Sequence, residues 1–196
     1  MANSNAPTGF RPVKYRSGAP YNGAANVYYV PASDGTALYI GDPVVIAGSA
    51  DAKGVATATR ATAGSAGPIT GVVVGFVPTP ALVGGGYKYR PASTAAYILV
   101  ADDPNLVFEC QEDAVGGALA ATDVGLNADM ASGSGSAVTG LSGFQLDTST
   151  KATTATLQWR IVGFVQREDN AIGANAKVLV RINLPTETGA AGSTGV

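Results

Sequence analysis

The side chains able to do chemistry in this chain are few, and their types exclude most of it. There is no histidine among the 196 residues, so a Ser-His-Asp triad, a His-ligated zinc or iron site and a histidine proton shuttle are impossible within the chain. The single cysteine, Cys110, permits neither an internal disulfide nor a four-cysteine zinc site. It alternates with Leu106 and Phe108 and reads as a core residue of a strand. Carboxylates gather as Asp102-Asp103, Glu109 and Glu112-Asp113. A glycosidase-like reaction needs two carboxylates held across a substrate, and spacing identifies no partner for Glu109. Adjacent aspartates in a turn are turn formers, and no D-x-[DN]-x-[DN]-G loop for calcium occurs. The glycine clusters at 84–86, 116–117 and 133–143 lack the G-x-G-x-x-G spacing and the strand-to-helix setting that cradle a pyrophosphate, and there is no Walker A loop. With no nucleophile, base and oxyanion site to name, the chain reads as a non-enzyme with no catalytic, cofactor-binding or metal-binding residue.

Composition points the same way. Charged residues make up 13% of the chain, about half the share in an average soluble domain. Glycine (26) and proline (11) are abundant, which favours turns and short strands over long helices. A formal charge of −2 makes the molecule a poor polyanion binder, so nucleic acid is not an expected partner. Against that average, the first 35 residues hold three cations, Arg11, Lys14 and Arg16, before the first acid, Asp34. An acidic patch on another protein is the target those cations suit. Met1 to Asn5 is polar with no apolar h-region, so no secretory signal is expected. No uninterrupted apolar run reaches the length of a membrane span, and a soluble protein made in a cytoplasm is the expectation.

The elements follow from turn residues and alternation. Residues 1–35 read as an extended N-terminal arm, because Phe10, Tyr15, Tyr21, Tyr28 and Tyr29 fall on no common face at helical or strand spacing. Such aromatics serve as separate anchors, either in pockets of another subunit or along the edge of their own domain. Phe10, Arg11, Lys14, Tyr15, Arg16 and Tyr21 are the candidate contact residues. A β domain over 36–185 begins with Leu38-Tyr39-Ile40, a Gly41-Asp42-Pro43 turn and Val44-Val45-Ile46. In the Val-rich run 69–77, Gly71 and Gly75 suggest a bulge or a close backbone approach. A hinge at 84–86 leads to Tyr87-Lys88-Tyr89-Arg90, with tyrosines on one strand face and cations, expected to be solvated, on the other. Residues 97–100 and 106–111 around Asp102-Asp103-Pro104-Asn105 read as a hairpin. Residues 113–122 form a short helix or a loop, and 130–143 a long surface loop. Two half-buried antiparallel strands close the domain. In the first, Leu157, Trp159, Ile161 and Val165 share a face; in the second, Val178, Val180, Ile182 and Leu184 do. The shared Val-Gly-Phe-Val at 74–77 and 162–165 reads as two strands with similar packing demands rather than a repeat. The tail, 186–196, reads as mobile. The class is all-β, a single sandwich or barrel-like domain, since both architectures give the same alternation within a strand.

Several stretches carry a resemblance. They are Gly9-Phe-Arg-Pro-Val13, Gly18-Ala-Pro-Tyr21, Gly41-Asp-Pro-Val-Val45, residues 97–114 (YILVADDPNLVFECQEDA), Asp123-Val-Gly-Leu-Asn127, Gly140-Leu-Ser-Gly143, Trp159-Arg-Ile-Val-Gly-Phe-Val165, Asp169-Asn170 and Lys177-Val-Leu-Val-Arg-Ile-Asn183. Together they resemble the decoration, or cement, proteins of tailed-bacteriophage heads. The resemblance implies a virion structural protein on the outer surface of the capsid. Its partners would be the major capsid protein and further copies of itself, as a homodimer or homotrimer. It supplies no motif that assigns contact residues. A cement subunit gains from multivalency, because each contact raises the effective concentration of the next. If the arm only reaches outward, deleting residues 1–33 leaves a folded domain that no longer protects capsids. A phage tail or fibre component and a carbohydrate-binding module, with Tyr87 and Tyr89 as its platform, are the alternatives.

Overall fold

The computed structural model describes residues 3–64, 67–78, 88–188 and 191–195. Thirteen strands make up almost all of its regular structure: β1 (Arg11–Tyr15), β2 (Asn26–Val30), β3 (Leu38–Tyr39), β4 (Pro43–Ala50), β5 (Ala56–Arg60), β6 (Gly71–Phe76), β7 (Tyr89–Arg90), β8 (Ala96–Ala101), β9 (Leu106–Gln111), β10 (Asn127–Ala131), β11 (Gln145–Ala152), β12 (Trp159–Phe164) and β13 (Lys177–Ile182). The class is all-β, and no α-helix occurs among the described residues. Residues 113–122 are turns running into a single 3-10 turn at Ala121–Asp123. The hinge at 84–86 and Tyr87 lie outside the described residues.

The strands form a six-stranded sheet, ordered β1-β9-β13-β12-β10-β11, a closed barrel, β2-β5-β4-β6-β8, and the small pair β3-β7. Among the named strands, every pairing is antiparallel except β2 with β5, which closes the barrel through Tyr29 opposite Thr57. The two larger units share a core. On β6, Val73 and Phe76 fill the barrel with Ile98 and Val100 of β8, whereas Val72, with Ala101, faces Phe108, Trp159 and Val180 of the sheet. A strand buried on both faces has no polar side to show, which is why the Val-rich run does not alternate. A Cβ on Gly71 would overlap the backbone at Ala101 and Asp102, so the close approach suggested by its glycine is present. Gly75 instead follows a bulge, because the register slips by one residue between Val73 and Gly75. The same slip occurs between Ile161 and Gly163, so the shared Val-Gly-Phe motif marks equivalent bulges in β6 and β12.

Several expectations are corrected by the tertiary arrangement. Residues 97–111 are not a hairpin: β8 pairs with β2 and β6 in the barrel, and β9 pairs with β1 and β13 in the sheet. The turn residues are real, with Leu106 N–H donating to Asp103 O at 3.0 Å, but the chain uses that corner to change layers. The bulge in β12 gives the inner face to Trp159, Ile161 and Phe164 rather than to Val165. Residues 130–143 are not all surface, since Met130 is a buried part of β10 and Ser142 and Gly143 are buried too. The cations at 88 and 90 part company. Lys88 is exposed, while Arg90 is fully buried, donating through Nε to Thr94 O (2.6 Å), Nη1 to Thr36 O (2.6 Å) and Nη2 to Pro31 O (2.8 Å) and Asp34 O (2.9 Å). Those carbonyls, with the Asp34 carboxylate 3.9 Å away, replace water around the guanidinium. The tail is pinned where it is described: Asn127 Nδ2 donates to Ser193 O (2.8 Å) and Gly195 N–H donates to Thr153 O (2.9 Å).

Candidate contact surface

The N-terminal stretch is not a free arm. β1 is the edge strand of the six-stranded sheet, paired with β9 through Arg11 opposite Glu109 and Lys14 opposite Val107. Pro12 is tolerated there because an edge strand leaves one side of its backbone without a ladder partner. β2 closes the barrel by joining β5 to β8. Between them the chain reverses tightly, with Tyr15 N–H donating to Ala19 O (2.8 Å) and Gly18, at φ 93°, donating to Tyr15 O (2.9 Å).

Of the six predicted contact residues, the structure removes one from the surface. Phe10 is fully buried and lies flat on Trp159, ring centroids 4.0 Å apart and planes 5° from parallel, with Phe108 edge-on to the same indole. What seats it is a glycine pair. Gly9 adopts φ 71° and Gly41 φ 97°. A Cβ on Gly9 would come within 2.5 Å of Gly41 O, and one on Gly41 within 2.6 Å of Thr8 O. That close approach lets Phe10 N–H donate to Gly41 O at 3.0 Å and sends its ring inward. Tyr15 and Tyr21 are half-buried against the same core, their rings 6.5 Å apart, and Tyr21 OH donates to Ala24 O at 2.8 Å. Nothing in the sequence signalled the burial of Phe10, because the ring it stacks on, Trp159, lies far along the chain.

Arg11, Lys14 and Arg16 remain exposed. They share the outer face of the sheet with residues sequence reasoning did not connect to them. Across β13 and β12, Arg181 stands directly opposite Arg160. Arg160 turns away to Asn127 Oδ1 (3.0 Å), Ser193 O (3.0 Å) and Thr194 O. A groove of about 330 Å³ runs between Lys14, Arg16 and Arg181, with Val107, Val162 and Leu179 among the residues lining it. Beside it, Arg167 makes a bidentate pair with Glu109 (3.1 and 2.9 Å), and Asp169 bridges Arg167 and Lys177. None of the ion pairs formed among the described residues uses Lys14, Arg16 or Arg181. Burial, then repulsion from Arg160 and Arg16, holds the Arg181 guanidinium below its ordinary pKa. The signal for this cluster was the strand order, which alternation within single strands does not carry.

Three carboxylates, Asp42, Asp102 and Glu112, are engaged by the fold. Glu112 is fully buried and accepts from Ala114 N–H (2.8 Å) and Ala176 N–H (3.2 Å). Burial raises its pKa despite those donors. Asp42, also raised by burial, accepts from Tyr39 N–H at 2.9 Å. Asp102 accepts from Tyr28 OH (2.8 Å) and Asn26 Nδ2 (3.0 Å) and ties β2 to the layer-crossing corner. Tyr89, of the pair considered for carbohydrate, stacks on Tyr39 with centroids 5.1 Å apart. Among the described residues no group of three or more metal-ligating side chains comes together. No family model, curated protein or solved structure matches the chain.

Proposed function

We propose that this chain is a structural protein of a virion, a decoration subunit that binds the outer surface of a tailed-phage capsid and stabilises its lattice. The observation that carries the reading is the placement of charge. A chain of net charge −2 displays Arg11, Lys14 and Arg16 as exposed side chains on and just after β1, where they suit an acidic protein surface more than they serve the fold. The resemblance of residues 9–13, 18–21, 97–114, 159–165 and 177–183 to head decoration proteins agrees with that role, as does a β domain with small residues at its turns. In this reading the chain is not an enzyme, and its partners are the major capsid protein and its own copies. Each weak contact on a repeating lattice is reinforced by the next.

Light scattering of the purified protein, alone and after mixing with undecorated phage shells, tests the reading. A defined oligomer that co-sediments with shells at constant stoichiometry is the expected result. A monomer that leaves shells bare refutes it.

A further inference from the structure

We infer that the groove on the outer face of the six-stranded sheet is a docking site for an acidic, aliphatic polypeptide segment, gripped by Lys14, Arg16 and Arg181. This deepens the decoration reading and rests on it only for the identity of the partner.

Charge commits the occupant first. Three cations border one groove without an ion-pair partner among the described residues, and Arg181 also stands cross-strand from Arg160, whose own guanidinium turns away to Asn127, Ser193 and Thr194. Like charges directly opposite one another in a sheet are destabilising, so the arrangement costs stability that an anionic partner would offset. Val162 is 38% exposed where Val107, Val178 and Val180 of the same sheet are buried, and with Val107 and Leu179 it gives the groove an apolar lining between its charges. Aliphatic side chains alternating with carboxylates match that pattern. A nucleic acid strand matches it poorly, since it would need exposed rings for its bases, and Tyr15, the aromatic residue of the groove, is packed against the core. A second copy related by a two-fold axis through this face would set the cations against themselves. The occupant lies on the face rather than extending the sheet, because the chain itself folds back over the β1 edge. Tyr21 N–H donates to Val13 O at 3.1 Å, and Pro20 bridges to Lys14.

The test uses the full chain and a fluorescent peptide of five Glu-Val repeats, read by anisotropy. Wild-type protein is expected to bind it at about 10 mM salt and to release it at about 300 mM, as the Debye length falls from about 30 Å to below about 8 Å. Reversing two charges, Lys14→Glu with Arg181→Glu, is expected to weaken binding at least about tenfold and to transfer preference to the Lys-Val counterpart. Should that double variant fail to fold, Arg181→Gln and Lys14→Gln are read singly for the same loss. Arg167→Gln, on the neighbouring ion-pair network, leaves affinity unchanged. Absence of binding, equal binding by the reversed variant, or tighter binding of a thymidine decamer overturns the inference. Shells that bind protein while the peptide does not would overturn the groove and leave the decoration reading standing. The reverse pattern would do the opposite.

Discussion

Truncating Phe10 to alanine separates a core anchor from an outward-reaching arm. The ring is fully buried and parallel to Trp159 at 4.0 Å. Removal of a fully buried phenylalanine costs about 3–5 kcal/mol, of which about 0.5–1.5 kcal/mol belongs to the aromatic pair. Native stabilities are about 5–15 kcal/mol, so the loss is a large fraction of the total. For a chain of this size each kcal/mol moves the melting temperature by about 2–4 °C, and Phe10→Ala is expected to melt about 6–20 °C below wild type. The chain has one tryptophan, so intrinsic fluorescence reports on the partner of the missing ring. Urea unfolding followed at Trp159 gives the free energy, and the native emission of the variant gives the local packing. A loss below about 1 kcal/mol with unchanged emission would refute the assignment and return residues 3–10 to the status of a detachable arm.

Deleting residues 1–33 removes β1 and the barrel-closing β2, so the truncated chain is expected to lose cooperative unfolding by calorimetry; a sharp transition would show the arm to be dispensable. Arg90→Lys is expected to destabilise by about 3–5 kcal/mol, since an ammonium cannot reproduce the planar fork reaching carbonyls of Pro31, Asp34, Thr36 and Thr94; denaturant midpoints check this. Glu112, raised by burial from 4.5, holds its proton more tightly folded than unfolded. Its contribution is therefore most favourable below about 4.5 and declines as pH rises through the raised folded value. The stability of wild type relative to Glu112→Gln should fall over that window in urea titrations, and a rise would contradict the burial argument. Cys110 is 2% exposed, and burial holds its thiol well above the ordinary value. An aromatic disulfide reagent should leave it unmodified in the native protein and label it only on unfolding.

Fold class and the positions of the turns are legible in local residue patterns. Absent histidine and a single cysteine are facts of composition that no folding can alter. Short β-favouring runs between Gly, Pro, Asn and Asp residues locate most strands, because alternation and turn preference act over a few residues. The alternation around Cys110 and along Lys177–Ile182 correctly assigned their inner faces. Tertiary structure decided which strand lies beside which. A buried Phe10 and an exposed Lys14 look alike in a glycine-rich stretch until Trp159 and Gly41 arrive from elsewhere in the chain. The Asp-rich corner at 102–105 ends one strand and begins another whether the two pair or change layers, and the layers were chosen by the partners β2 and β1 supply. Arg90 reads as a solvated cation because the four carbonyls that replace its water belong to two separate loops. The cationic groove exists only because β1, β9, β13 and β12 are neighbours, and strand order is a property of long-range packing that no local pattern encodes.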